Sequence, residues 1–86
     1  MINILYPQSF LRKFRKLELD LQDIAFEKIN LFKDRKNHKT LEVHKLHGRL
    51  SDQFGFSITR KYRIAFRYVS KNEVLFLDIG DHDIYR

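Results

Sequence analysis

The feature that most constrains the fold is an alternation of apolar residues in the second half of the chain. Apolar side chains occupy every second position from Phe54 to Ile58 and again from Tyr62 to Tyr68. A period of two predicts β-strands with one buried face. The pair Arg60-Lys61 separates the two runs and predicts a tight hairpin turn. After a turn at Asn72, the run from Val74 to Ile79 predicts a third strand of the same meander.

The first half of the chain predicts one short strand and two helices. The strand covers residues 1–6 and ends at Pro7. From Ser9 onward the apolar residues have helical spacing, and Asp20 is the predicted N-cap of the second helix. The residues expected to be buried by that helix are Leu21, Ile24, Ala25, Ile29 and Phe32. The order β-α-α-β-β-β predicts an α+β fold in a single domain, residues 1–86, with a helical hairpin on one face of a small, mainly antiparallel sheet.

Charge and composition narrow the classes of function. The chain of 86 residues has a net charge of +6, which favours an anionic partner. It contains no Cys, so disulfides and thiolate metal sites are excluded. The start of the chain does not resemble a signal peptide, and the longest aliphatic and aromatic run, residues 74–77, is too short for a membrane span. We therefore expect a cytoplasmic protein that does not contact a membrane.

The sheet face away from the helices is expected to carry positive charge. Alternation places Arg63 and Arg67 together on that face of one strand. If Leu75, Leu77 and Ile79 point to the core, Asp78 lies on the same outer face as Arg63 and Arg67. An Asp78–Arg67 salt bridge is then as good an explanation as anion binding for Arg67. For Arg63 we expect a contact with an anion.

The histidines provide candidate acid–base groups. Cleavage of RNA through its 2′-OH needs a base, an acid and a fixed positive charge, and it needs no metal. His82 and His44 are candidates for the acid and the base, and Arg63 is the candidate charge stabiliser. Asp81 and Asp83 are expected to favour the protonated form of His82 and so to raise its pKa, which would suit a general acid. The alternative is that both aspartates only cap the turn and are solvated. The alternative is that these histidines are ordinary surface or capping residues.

The spacing His44-x-x-His47 also invites a zinc site. In an extended segment the two side chains point to opposite faces, and no further ligand follows at a recognisable spacing. We therefore expect no metal and no other cofactor.

Four stretches in order carry a resemblance to a known family. They are HKLHGRL at residues 44–50, FSI at 56–58, YRIAF at 62–66 and LDIGDHDIY at 77–85. Together they resemble the RelE/ParE superfamily of bacterial toxins, whose β-α-α-β-β-β fold also fits the first half of the chain. The resemblance implies the toxin of a type II toxin–antitoxin pair. Many members are endoribonucleases that cut mRNA in the ribosomal A site, whereas the ParE branch inhibits DNA gyrase.

The resemblance also implies roles for single residues. Histidines at the matching places of the YafQ type are catalytic, which carries over to His82 and His44. The arginine of "YRI" is catalytic in the RelE and YoeB types, which carries over to Arg63, and a terminal tyrosine of RelE makes Tyr85 a further candidate. The residues expected to bind RNA are Lys45, Arg49, Arg60, Lys61 and Arg67.

The expected partners are mRNA on the ribosome and a cognate antitoxin. The antitoxin is expected to bring an acidic, partly disordered segment that folds over the basic face. The two proteins would form a hetero-oligomer. The terminal histidine ranks mRNA cleavage above the gyrase alternative, because ParE proteins usually lack it.

Overall fold

The computed structural model describes residues 1–50, 52–81 and 84, with only the backbone of Leu50. Five strands and two helices follow one another as β1 (Asn3–Leu5), α1 (Gln8–Arg15), α2 (Leu19–Phe32), β2 (His44–Lys45), β3 (Phe54–Ser57), β4 (Arg63–Ser70) and β5 (Glu73–Gly80). Short 3-10 turns cover Arg35–Asn37 and Gly48–Leu50. This arrangement confirms the predicted α+β fold with both helices against one face of the sheet.

The sheet has the strand order β1-β5-β4-β3-β2. The pair β1–β5 is parallel and the other three pairs are antiparallel, as the prediction of a mainly antiparallel sheet requires. The edge strand β2 was not predicted. It has two residues, which is too short for an alternating pattern to appear in the sequence.

The core under the helices is built from phenylalanine rings. Phe32 of α2 stacks on Phe56 at a centroid distance of 4.5 Å and meets the edge of Phe66 at 4.9 Å. Phe10 of α1 lies 5.2 Å from Phe76 of β5. All five rings are fully buried, and each one contributes about 1.5–3 kcal/mol by leaving water.

The register of β5 differs from the prediction. Val74 and Phe76 are fully buried, whereas Leu75 and Leu77 are only half-buried, so the predicted core positions of these two leucines are wrong. Ile79 is buried as predicted. The reason is one extra residue in β5: Ala65 pairs with Asp78 while the next residue of β4 pairs with Phe76. Such a bulge reverses the alternation within one strand.

Helix α2 also departs from the prediction at two places. It begins at Leu19 after Glu18, and no side chain caps its first turn, so the predicted N-cap role of Asp20 is wrong. Ala25, Ile29 and Phe32 are buried as expected, and Leu21 packs against them. Ile24, however, is 38% exposed. The apolar residues of α2 lie on more than one side of the helix, and spacing alone did not decide which side faces the sheet.

Among the helices that the structure describes, none is both long and apolar enough to cross a membrane.

Candidate functional site

The sheet surface opposite the helices, called the open face here, carries three of the predicted site residues, His44, Arg63 and Arg67. It comprises the residues whose pairing register puts them on the face away from Phe56, Ile64 and Phe66, namely His44, Gly55, Ser57, Arg63, Ala65, Arg67 and Gly80. Gly55 and Ala65 are themselves buried. The pairing register sets two neighbouring rows across this face. One row runs from His44 through Gly55 to Ala65, and the other runs from Ser57 through Arg63 to Gly80.

These rows bring His44 and Arg63 onto one surface. The two residues are separated by two strand spacings and two positions along the strands, which corresponds to roughly 12 Å between Cα atoms. Small residues lie between them, namely Gly55, Ser57 and Ala65.

The ring of His44 is oriented by the residue two positions before it. Its Nδ1 lies 2.8 Å from the carbonyl oxygen of Glu42. A carbonyl only accepts, so Nδ1–H is the donor, and the neutral ring carries its lone pair on Nε2. Glu42 has φ of +58°, an uncommon backbone conformation for a residue with a side chain. Its carboxylate accepts a hydrogen bond from the Ser57 hydroxyl at 3.1 Å, which ties this turn to β3.

Glu42 is a site residue that sequence reasoning missed. Glutamate is not a residue type that announces a left-handed backbone, in contrast to glycine or asparagine. Neither its type nor its spacing therefore signalled that it orients His44.

The guanidinium of Arg63 is held by the hairpin that precedes it. Its Nη1 donates to the carbonyl oxygens of Thr59 at 2.6 Å and Tyr62 at 3.3 Å. The Thr59 hydroxyl oxygen accepts from the backbone N–H groups of Lys61 and Tyr62. The predicted turn at Arg60-Lys61 is thus the tip of a connection that spans residues 58–62. This connection keeps a half-buried positive charge at a defined place on the open face.

The predicted RNA-binding residues are distributed over several surfaces. Arg67 is exposed on the open face, four residues along β4 from Arg63. Arg60 and Lys61 are exposed at the hairpin tip, and the Lys61 ammonium lies 5.8 Å from the centre of the Tyr62 ring. Arg49 is exposed in the turn after β2. Lys45 pairs with Phe54, so alternation places it on the other face from His44.

The Asp78–Arg67 salt bridge, one of the two explanations considered for Arg67, is not the one that Asp78 forms. The carboxylate of Asp78 binds the ammonium of Lys13 in α1 at 2.7 Å and accepts the backbone N–H of Ile79 at 2.8 Å. Arg67 lies across from Leu75 instead. The extra residue in β5 shifts Asp78 relative to β4. The sequence did not single out Lys13 as the partner of Asp78, because α1 carries several other basic residues.

At the end of the chain, the described residues include Gly80, Asp81 and Ile84. His82, Asp83 and Tyr85 lie outside the described residues, and so the roles of His82 and Tyr85 stay predictions. The described neighbours show a close approach. The N–H of Ile84 donates to the carbonyl of Asp81 at 3.1 Å, and a methyl group on Gly80 would lie 2.7 Å from Cγ2 of Ile84. Gly80 itself lies directly across from Arg63.

Of the other histidines, His38 has a structural environment. Its ring stacks on Phe32 at 4.7 Å, and Nε2 lies 2.7 Å from the carbonyl oxygen of the same residue. His47 is exposed. Within residues 1–50, 52–81 and 84, no three His, Cys, Asp or Glu side chains cluster closely enough to hold a metal ion.

Comparison with solved structures identifies the fold as that of RelE-type toxins. A copper-bound mutant toxin from Helicobacter pylori has a TM-score of 0.71 and 21% identity, with 98% of both chains covered. The toxin–antitoxin complex RelBE from Mycobacterium tuberculosis has a TM-score of 0.71 and 14% identity, with 94% of this chain and 98% of that chain covered. A mutant of YafQ from E. coli has a TM-score of 0.70 and 11% identity, with 98% and 97% covered.

These similarities confirm the resemblance at the level of the fold. No protein-family model and no curated protein matches the chain by sequence. The fold and the candidate site together therefore define a protein with the architecture of these toxins, and its activity has to be argued from the site.

Proposed function

We propose that this protein is the toxin of a toxin–antitoxin pair and that it cleaves mRNA on the ribosome. The observation that supports the proposal most is the strand register of the open face, which sets two rows of residues side by side. It places His44, with its Nε2 lone pair, on the same surface as the anchored Arg63. A base and a fixed cation at this spacing are two of the three groups that metal-independent RNA cleavage needs.

In the proposed reaction, His44 acts as the base. Nε2 of His44 takes the proton of a ribose 2′-OH, and the 2′ oxygen attacks the adjacent phosphorus. Arg63 stabilises the charge that develops on the phosphorane oxygens. The bond from phosphorus to the 5′ oxygen breaks, and His82 gives a proton to that oxygen. The products are a 2′,3′-cyclic phosphate and a free 5′-OH, so atoms and charges balance without a cofactor.

The remaining basic residues have a positioning role in this proposal. Arg67 extends the positive charge of the open face along β4, and Arg60 and Lys61 extend it to the hairpin tip. Contacts with phosphates place a nucleic acid in register but do not read its sequence. Arg49 and Lys45 are proposed to contact RNA from the side of β2, and Tyr85 to complete the site.

The proposed partner is an antitoxin with an acidic segment. The M. tuberculosis neighbour is itself a toxin–antitoxin complex. The net charge of +6 and the exposed arginine on the open face favour a partner of opposite charge that covers this face and forms a hetero-oligomer.

The proposal is tested by translation in a purified system, with primer extension on the mRNA. Wild-type protein is expected to produce ribosome-dependent cuts. Arg63→Ala is expected to reduce the cleavage rate about 10²–10³-fold, the usual effect of removing one charge-stabilising donor. His44→Ala and His82→Ala are each expected to reduce it by about 10²-fold or more. Lys36→Ala, which changes an exposed lysine in the short turn after α2 and outside the open face, is the matched control and is expected to cut as well as wild type.

Two outcomes would contradict the proposed reaction. The first is intact mRNA with the wild-type protein, and the second is full cleavage by His82→Ala. Supercoiling by purified DNA gyrase is measured in parallel. Inhibition of gyrase together with intact mRNA would assign the chain to the ParE type of activity.

A further inference from the structure

An apolar groove lies between α1 and α2, away from the open face. It has a volume of about 290 Å³ and is lined by six residues, Tyr6, Phe10, Leu11, Phe14, Phe26 and Ile29. Phe26 is 63% exposed and Tyr6 is 41% exposed, whereas Phe10 and Ile29 form the buried floor. A large aromatic side chain left in water at the rim of an apolar groove marks an interaction surface.

The apolar surface continues along α2. Leu19 lies seven residues before Phe26, which places it two helical turns away on the same side of the helix. It is 77% exposed. The groove together with Leu19 therefore forms one elongated apolar strip.

The two sides of the groove carry opposite charges. On α1, Arg15 lies four residues after the groove residue Leu11, and Arg12 lies one turn before Arg15. On α2, Asp23 lies three residues before Phe26, and it is flanked at helical spacing by Asp20 and Glu27. All five charged side chains are exposed.

Among the described residues, none of these five charged side chains takes part in an ion pair. Within the described part of the chain the ion pairs are Lys13–Asp78 and Lys36–Asp34, and neither involves the groove sides. An occupant of the groove therefore meets a basic side on α1 and an acidic side on α2.

We propose that the occupant is a second copy of this chain, in a two-fold symmetric dimer. In such a dimer the same surface of both copies is used, and α1 of one copy faces α2 of the other. Arg12 and Arg15 of each copy then meet Asp23 and Glu27 of the other copy, while Phe26 of each enters the apolar strip of the other. A uniformly acidic segment would complement α1 but would meet like charge along α2.

The net charge of each copy opposes this association. That repulsion is screened over about 8 Å at physiological ionic strength, whereas the groove sides are in direct contact in the dimer. The inference does not rest on RNA cleavage, because neither the open face nor its residues take part.

The test is sedimentation velocity of the purified full chain over a range of concentrations. Wild type is expected to show a reversible monomer–dimer equilibrium. Arg12→Glu with Arg15→Glu makes both groove sides acidic, and Asp23→Lys with Glu27→Lys makes both basic. Each double variant alone is expected to dimerise at least about 10-fold more weakly. An equimolar mixture of the two is expected to recover dimers, because each acidic side then meets a basic one.

Control variants separate this specific contact from general charge effects. Lys39→Glu with Lys71→Glu changes the net charge as much as the α1 double variant but lies outside the groove, and it is expected to leave dimerisation unweakened. Phe26→Asp is expected to abolish the dimer. Leu31→Asp, at a residue that is 39% exposed and does not line the groove, is the matched control and is expected to keep it.

Circular dichroism is used to confirm that each variant is folded before its dimerisation is compared with that of wild type. A wild-type chain that remains monomeric at all concentrations overturns the proposal. The same holds if the mixture of double variants fails to recover dimers. If wild type is monomeric and Phe26→Asp instead prevents binding of an antitoxin, the groove belongs to that partner and not to a second copy.

Discussion

The two faces of the sheet differ in how their residues are held. On the helix-covered face, five phenylalanine rings at 0–1% exposure contact one another and close the interior. On the open face, Arg67 is exposed, Arg63 is half-buried, and the residues between Arg63 and His44 are small. The first face supplies stability through packing. The second supplies charged and acid–base groups that are oriented by hydrogen bonds from turns. Substitutions on the two faces should therefore affect different properties.

The largest expected effect on stability comes from a substitution on the helix-covered face. Phe32→Ala is expected to lower the free energy of unfolding by about 3–5 kcal/mol, because Phe32 is fully buried and contacts Phe56, Phe66 and the ring of His38. Urea unfolding followed by circular dichroism measures this change. The control on the other face is Arg67→Ala, which is expected to stay within about 0.5 kcal/mol of wild type. Equal destabilisation by both variants would contradict the proposed division between the faces.

A smaller effect is expected at the end of β5. Gly80→Ala is expected to cost about 1–3 kcal/mol, because the new methyl group would lie 2.7 Å from Cγ2 of Ile84. Gly48→Ala is the matched control. Gly48 has φ of +69° and no atom within 4 Å of an added methyl group, so its cost arises from the backbone.

Ile84→Ala tells the two glycines apart. In its background, the cost of Gly80→Ala is expected to fall, because the clashing atom is gone, while the cost of Gly48→Ala stays the same. This double-mutant cycle is read from urea unfolding. An unchanged cost at Gly80 would show that its backbone conformation, and not the contact with Ile84, requires glycine.

The ion pair between α1 and β5 is expected to matter less. Lys13→Ala is expected to reduce the free energy of unfolding by about 0.2–1 kcal/mol, because the Lys13 side chain is 54% exposed and water screens the pair. The effect should shrink further when urea unfolding is repeated at high salt. A loss above about 2 kcal/mol would mean that Asp78 depends on Lys13 as a buried group does.

The smallest effect is expected at alkaline pH. Burial raises the pKa of Tyr6 above its usual value, so the folded chain keeps this phenol proton at a pH where the unfolded chain releases it. The contribution of Tyr6 to stability is therefore present below about pH 10 and is lost as the pH rises through its folded pKa. Tyr6→Phe is expected to make the free energy of unfolding fall less steeply above pH 10. A slope identical to that of wild type would show that Tyr6 is hydrated in the folded state.

Much of the fold follows from local patterns in the sequence. The period of two in β3 and β4 is visible because each strand has one buried face, and the burial of Phe56, Ile64 and Phe66 agrees with it. The helical hairpin is visible for the same reason, through Phe10, Ala25 and Phe32. The errors in the sheet fall where no local pattern exists. A bulge moves Leu75 and Leu77 off the core, and β2 is too short to have a period.

The sequence allows the candidate site residues to be predicted, but not the contacts that orient them. His44 stands out in the sequence because few types of side chain move protons near neutral pH, and Arg63 because alternation along its strand places it on the face away from the helices. Their supporting partners do not stand out. The carbonyls of Glu42 and Thr59, which orient them, belong to the backbone, and any residue type supplies one.

The sequence by itself determined the two helices, four of the five strands and their order, the burial of Phe10, Phe32, Phe56 and Phe66, and the candidate residues for the chemistry. These depend on neighbours along the chain, through hydrophobic periodicity and side-chain type. Only the tertiary structure decided that Asp78 binds Lys13 and not Arg67, and that His44 and Arg63 share one face of the sheet. It also decided that Phe26 is left in water beside oppositely charged helices. These features depend on strand register and helix rotation, which are set by packing between segments distant in sequence.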